Sequence, residues 1–122
     1  MEQDRLISFE TAKLLRYSKL LLKDVLYYYT NKGKLKMDSN IFIKKLFGYF
    51  IYPCITQNEL KQYLHNKYDI EIIIDASLMM WTVNIFYKGN KVIFIKCEPY
   101  EEVLEKALCE SIKLVKKNEK DN

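Results

Sequence analysis

The chain has 122 residues, 49% of them hydrophobic and 30% charged, with a net charge of +4. That length suits one ordinary domain able to bury a core without disulfide or metal staples, and three Gly and two Pro give no sign of a linker or low-complexity segment. No apolar run approaches the roughly 20 residues of a membrane helix, and Met-Glu-Gln-Asp-Arg-Leu at the start lacks the features of a secretory leader, so a soluble cytoplasmic protein without membrane contact is expected.

The stretch from Ser8 to Arg16 predicts a first helix. Ser8 caps it, Glu10 sits in the first turn, and Phe9, Ala12, Leu14 and Leu15 supply its apolar positions. Leu20 to Asp24 is able to extend it by two turns. Val25 to Thr30, a turn at Asn31-Lys-Gly33, and Lys34 to Met37 predict a hairpin, with Gly33 free to take positive φ. Residues 41–47 are left open between loop and short helix. Gly48 to Tyr52 predicts a strand ended by Pro53.

Thr56-Gln-Asn-Glu59 has capping-box spacing and opens a helix expected to reach about Tyr68, with Leu60, Tyr63, Leu64 and Tyr68 on one face. Ile70–Asp75, Met80–Tyr87 and Lys91–Lys96 predict three strands, the last two forming a hairpin about Gly89-Asn90. Pro99 then opens a final helix in its first turn, running to Lys117, and residues 118–122 are expected to fray. The order α-β-β-β-α-β-β-β-α defines an α+β fold over residues 1–117, a single domain of mostly antiparallel sheet with helices packed on one face.

Little of this carries chemistry. Cys54, Cys97 and Cys109 are scattered and odd in number, and the single histidine, His65, has no partner at ligand spacing. There is no glycine-rich phosphate loop. Glu101, Glu102 and Glu105 are the densest carboxylates, but they open a helix, where they complement its dipole. Asp69, Glu71 and Asp75 alternate along a strand, a spacing able to approach Mg²⁺ but read as the polar face of an edge strand. No catalytic, cofactor-binding or metal-binding residue is assigned, and the chain is read as not an enzyme.

Charge is uneven. Residues 1–55 carry ten basic and five acidic residues, whereas residues 56–122 carry ten basic and eleven acidic ones. The basic excess lies between Lys13 and Lys45, and its centre is the hairpin with Tyr27, Tyr28, Tyr29, Lys32, Lys34 and Lys36. These six form the candidate partner-binding surface. The leading expectation is a protein-interaction module with a host or phage protein as partner. The alternative is nucleic-acid binding, with the lysines on phosphates and the tyrosines stacking bases. From Thr56 onward the element order is that of a double-stranded-RNA-binding domain, yet acids stand where that fold presents lysines, and they repel phosphate.

The sequence also resembles small uncharacterised proteins encoded by phages and prophages of gut bacteria. The resemblance rests on Phe9, Ala12, Leu14 and Leu15, then Tyr27–Tyr29 and Gly33, then Pro53, Thr56, Gln57, Leu60, Tyr63 and Leu64. It continues through Asp69–Ile74, Trp81 and Val83 to Tyr100, Glu101, Glu102, Leu104, Glu105, Ala107 and Leu108. It implies a mobile-element origin and brings no activity with it. The last hairpin and helix are similar to the HicB family of antitoxins, which makes an antitoxin-like module a minor alternative.

On a wheel of about 100° per residue, the last helix places Tyr100, Val103, Leu104, Ala107, Leu108, Ser111, Ile112, Leu114 and Val115 on one half. Glu101, Glu102, Glu105, Lys106, Cys109, Glu110, Lys113, Lys116 and Lys117 fall on the other. So wide a stripe suits packing against a sheet, which makes the helix a strut and Cys109 the most exposed of the three thiols.

Overall fold

The computed structural model describes residues 5–18, 25, 27–37, 52–77, 80–97 and 99–120. Its element order is α1 (Phe9–Tyr17), β1 (Tyr27–Tyr29), β2 (Leu35–Met37), β3 (Tyr52–Cys54), α2 (Gln57–Tyr68), β4 (Ile70–Ser77), β5 (Met80–Tyr87), β6 (Asn90–Cys97) and α3 (Tyr100–Lys120). This is the α+β order read from the sequence, with the antiparallel strands divided between two sheets, β2-β1-β3 and β4-β5-β6. The chain gathers into two compact units, Met1–Thr56 and Gln57–Asn122. The expected extension of the first helix through Leu20–Asp24, the open segment 41–47 and the strand residues 48–51 lie outside the described residues.

Among the described residues, the first unit pairs the short helix α1 with short strands. Ser8 caps α1, its hydroxyl accepting from the Thr11 amide at 3.2 Å. Ala12 and Leu15 are buried as expected, together with Thr11, while Phe9 and Leu14 stay half-buried. Pro53 does not end its strand but sits in the middle of β3, opposite Tyr28. An edge strand tolerates proline because one side of its backbone makes no ladder bonds, and β3 is an edge of the described sheet.

The second unit is larger and aliphatic. Ile70 and Ile72 of β4, Val83 and Ile85 of β5 and Ile95 of β6 are buried on one sheet face. Against them lie Leu60 and Leu64 of α2, and Val103, Leu104, Ala107, Leu108, Ser111, Ile112 and Val115 of α3. Each fully buried aliphatic side chain contributes about 1.5–3 kcal/mol of hydrophobic free energy, which makes this stripe the unit's main source of cohesion. It matches the expected inward half of the last helix from Val103 onward, with Leu114 half-buried at its margin; the Tyr100 side chain lies outside those described. Gln57 is also buried, and its Nε2 donates to Glu105 Oε1 at 2.9 Å.

Several boundaries differ from expectation, β4 running on to Ser77 among them. The hairpin turn is Lys88-Gly89, one residue earlier, because Asn90 already pairs with Tyr87. Both turn residues have positive φ, 52° and 83°, the geometry that matches strand twist in a two-residue loop. Pro99 lies just outside α3: its carbonyl accepts from the Val103 amide at 3.0 Å, a capping role that needs no proline N–H. The helix continues to Lys120, past the expected end at Lys117, and Asn118 Nδ2 donates to the Leu114 carbonyl at 2.8 Å.

One corner was not foreseen. Asp69 ends α2 at φ 56°, the left-handed cap usually held by glycine. Its amide donates to the His65 carbonyl at 3.1 Å, and its own carbonyl accepts from the Lys88 amide at 3.0 Å, which ties the corner to the hairpin turn. No helix among the described residues is long and apolar enough to cross a membrane.

Candidate functional site in the first unit

The residues singled out from sequence fall on the hairpin β1–β2. Its register pairs Tyr27 with Met37, Tyr28 with Lys36 and Tyr29 with Leu35, and on the other side pairs β1 with Cys54, Pro53 and Tyr52 in turn. Side chains alternate across a strand, so Tyr28, Lys36 and Pro53 share one face. Tyr27, Tyr29, Leu35, Met37, Tyr52 and Cys54 share the other.

Helix α1 covers part of that second face with an aromatic cluster. The Phe9 ring lies 5.5 Å from Tyr29 and 5.5 Å from Tyr52, both tilted or edge-on, and Tyr17 lies 6.3 Å from Tyr52. Such geometry adds about 0.5–1.5 kcal/mol per ring pair beyond buried area. Tyr29 Oη donates to the Ile7 carbonyl at 2.6 Å, and the Cys54 thiol makes a weak contact with the same oxygen at 3.6 Å. Lys13 Nζ sits 5.1 Å from the Phe9 ring centre and the Arg16 guanidinium 5.3 Å from that of Tyr52, so two cations rest on the cluster's aromatic faces.

The loop between the strands is built by Thr30 and Gly33. The Thr30 amide donates to the Lys34 carbonyl and the Gly33 amide to the Thr30 carbonyl, both at 2.9 Å, while Thr30 Oγ1 accepts from the Lys34 amide at 3.2 Å. Gly33 has φ +81°, and a Cβ there would stand 3.2 Å from Phe9 Cδ2. The loop backbone is therefore laid directly against the Phe9 ring.

The six expected residues thus separate by role. Lys32, Lys34 and Lys36 are exposed, and Tyr27 is half-buried. Tyr28 is 5% exposed and Tyr29 is tied down through its ring and hydroxyl, so neither can offer a stacking face. The apolar surface comes from residues not singled out: Tyr17 at 58% exposure, Leu35 at 42% and Met37 at 71%. Leu35 and Met37 were legible as one face of a strand, but not as uncovered.

Tyr52 is the one group whose ionisation is clearly displaced. Hydrogen bonding with Tyr17 is the leading cause that raises its hydroxyl above the usual value of 10.0; burial adds to it and the Arg16 charge opposes it. Among the described residues, no three His, Cys, Asp or Glu side chains come together as metal ligands would. His65 is exposed on α2, with Nδ1 3.3 Å from the neighbouring Asn66 Oδ1. Comparison with known proteins adds no relative: no family model, curated protein or solved structure matches the chain.

Proposed function

We propose that the chain is a non-catalytic interaction module, an accessory protein of the kind that phages and other mobile elements encode, and that it grips a protein partner at β2. The observation that carries this reading is the uncovered pair Leu35 and Met37 on a strand that, among the described residues, pairs with β1 alone. Lys32, Lys34 and Lys36 surround them. An extended segment with alternating apolar and acidic residues fits this surface. Its backbone would add to the β2 edge, its apolar side chains would meet Leu35 and Met37, and its acids would reach the lysines.

Selection of displayed random peptides on the native protein tests the reading. Alternating apolar–acidic motifs are expected to enrich, and to be lost on the Leu35→Asp/Met37→Asp variant. Equal enrichment on the two proteins would overturn it. The alternative, nucleic-acid binding, draws support from Lys13, Arg16 and the exposed ring of Tyr17 on α1, together with the three exposed hairpin lysines. Fluorescence anisotropy with single-stranded DNA and RNA decides it: salt-dependent binding unaffected by Met37→Asp would favour nucleic acid over peptide.

A further inference from the structure

The outer face of β4-β5-β6, opposite the buried stripe, carries a charge pattern that complements itself. Register places its side chains in three rows across the sheet. Asp75, Thr82 and Lys96 form one; Ile73, Asn84 and Phe94 form the middle; Glu71, Phe86 and Lys91 form the third. The bulge between Ile85 and Phe86 sets the third row, because it leaves Val92 unpaired in β6 and brings Lys91 opposite Phe86. Acids therefore line the β4 side, bases line the β6 side, and apolar groups lie between them. Phe94 is 55% exposed, Val92 45% and Ile73 38%, and all four charged residues are exposed.

We infer that this face is an isologous interface with a second copy of the chain, related by a two-fold axis lying along β5. Two sheets stacked face to face can be related by an in-plane axis either along the strands or across them. An axis across the strands lays β4 on its own copy and sets Glu71 against Asp75, acid on acid. An axis along β5 lays β4 on the β6 of the second copy. Asp75 then meets Lys96, Glu71 meets Lys91, Ile73 meets Phe94, and each pair occurs twice. Asn84, whose side-chain oxygen is buried within the unit, falls on the axis against its own copy. Like charges opposed across an interface are costly, so the pattern selects one arrangement and disfavours the other. Three strands of this length bury on the order of 1,000 Å² in total, a small interface that forms and separates reversibly. This surface shares no residue with β2, and its occupancy does not depend on the peptide reading.

Sedimentation velocity on the full chain, from about 1 µM to about 1 mM, is expected to show a monomer–dimer equilibrium that weakens with salt. Two charge variants complete the test. Lys91→Glu/Lys96→Glu makes both edges acidic, and Glu71→Lys/Asp75→Lys makes both basic. Each alone should dimerise at least about 10-fold more weakly than the native chain. Mixed in equal amounts, the two should restore a dimer, because an all-acidic face complements an all-basic one. Circular dichroism checks that each variant is folded, and the concentration series on the native chain decides the test if one of them is not. A native chain that stays monomeric throughout the range, or a mixture no stronger than its components, would overturn the inference.

Discussion

The two units bury different chemistry in different ways. The second rests on aliphatic side chains shared between eight-residue strands and a 21-residue helix, with Val83, Val103, Ala107, Leu108 and Ile112 fully inaccessible. The first has, among the described residues, strands of three residues and a cluster that runs from buried Tyr52 through half-buried Phe9 and Tyr29 to exposed Tyr17, with Lys13 and Arg16 on its rings. An aliphatic interior offers nothing to a partner. An aromatic–cation cluster at the surface lends itself to both cohesion and contact. The contrast sets a dry aliphatic interior against an aromatic cluster that lies partly at the surface.

The sharpest way to break that contrast is to remove aliphatic volume from the second unit. Leu108→Ala deletes a fully buried side chain and is expected to cost about 2–5 kcal/mol in denaturant melts followed by Trp81 fluorescence. Trp81, the only tryptophan, lies on β5 and so reports this unit. A loss below about 1 kcal/mol would show α3 to be peripheral. Two glycines give a finer comparison. Gly33 and Gly89 have nearly equal φ, +81° and +83°, but a Cβ at Gly33 meets Phe9 while a Cβ at Gly89 meets nothing within 4 Å. Gly89→Ala should cost about 1 kcal/mol from backbone strain alone. Gly33→Ala should cost about 1 kcal/mol more, because the Phe9 ring must also yield. Equal losses in thermal melts would show that the ring moves freely and that the aromatic cluster is looser than its geometry implies.

The same contrast explains what the sequence revealed. The second unit was legible almost to the residue because its signals are periodic: Val103, Leu104, Ala107, Leu108, Ser111, Ile112 and Val115 follow the helical repeat, and Ile70, Ile72, Val83 and Ile85 the strand repeat. The turn was misplaced by one residue because Lys88, not a residue typical of such turns, takes the left-handed conformation. The first unit was legible in order but not in detail. Period-two reasoning cannot tell a strand face covered by a helix from one left open, so Tyr28 looked available and is buried, while Leu35 and Met37 looked ordinary and are exposed. Pro53 looked like a terminator because its place on an edge strand is a fact of pairing rather than of local sequence. The outer face of the second sheet was read only as a polar edge through Glu71 and Asp75. Its self-complementarity emerges once β4 and β6 are known to flank β5 and the bulge at Val92 fixes their rows.

Smaller effects refine the picture. Ser111 is fully buried in α3, and its hydroxyl has no hydrogen-bond partner among the described residues. Ser111→Ala removes that unpaired group and inserts a better helix former, so a gain of about 0.5–1 kcal/mol is expected in the same Trp81 melts. A loss would reveal a partner for the hydroxyl and a less purely aliphatic interior.

In the first unit the corresponding probe is Tyr52→Phe. At neutral pH it removes one hydroxyl beside Tyr17 and should cost about 0.5 kcal/mol, the low end for a net hydrogen bond. Its signature is in the pH dependence. Tyr52 is raised above 10.0 in the folded chain, first by Tyr17 and then by burial, against the opposing pull of Arg16. The unfolded chain, with an ordinary tyrosine, therefore loses its proton first as pH rises. The stability that Tyr52 contributes is fully present below about pH 10 and is lost as pH climbs through the raised folded value. Tyr52→Phe should make the alkaline fall in stability shallower while leaving the curve below about pH 9 parallel to that of the native protein. Tyrosinate absorbance provides an independent readout, because the variant should lack a late-titrating component. If the two alkaline limbs coincide, the Tyr17–Tyr52 pair does not persist in solution. The first unit's cohesion would then rest on Phe9 and its neighbours alone.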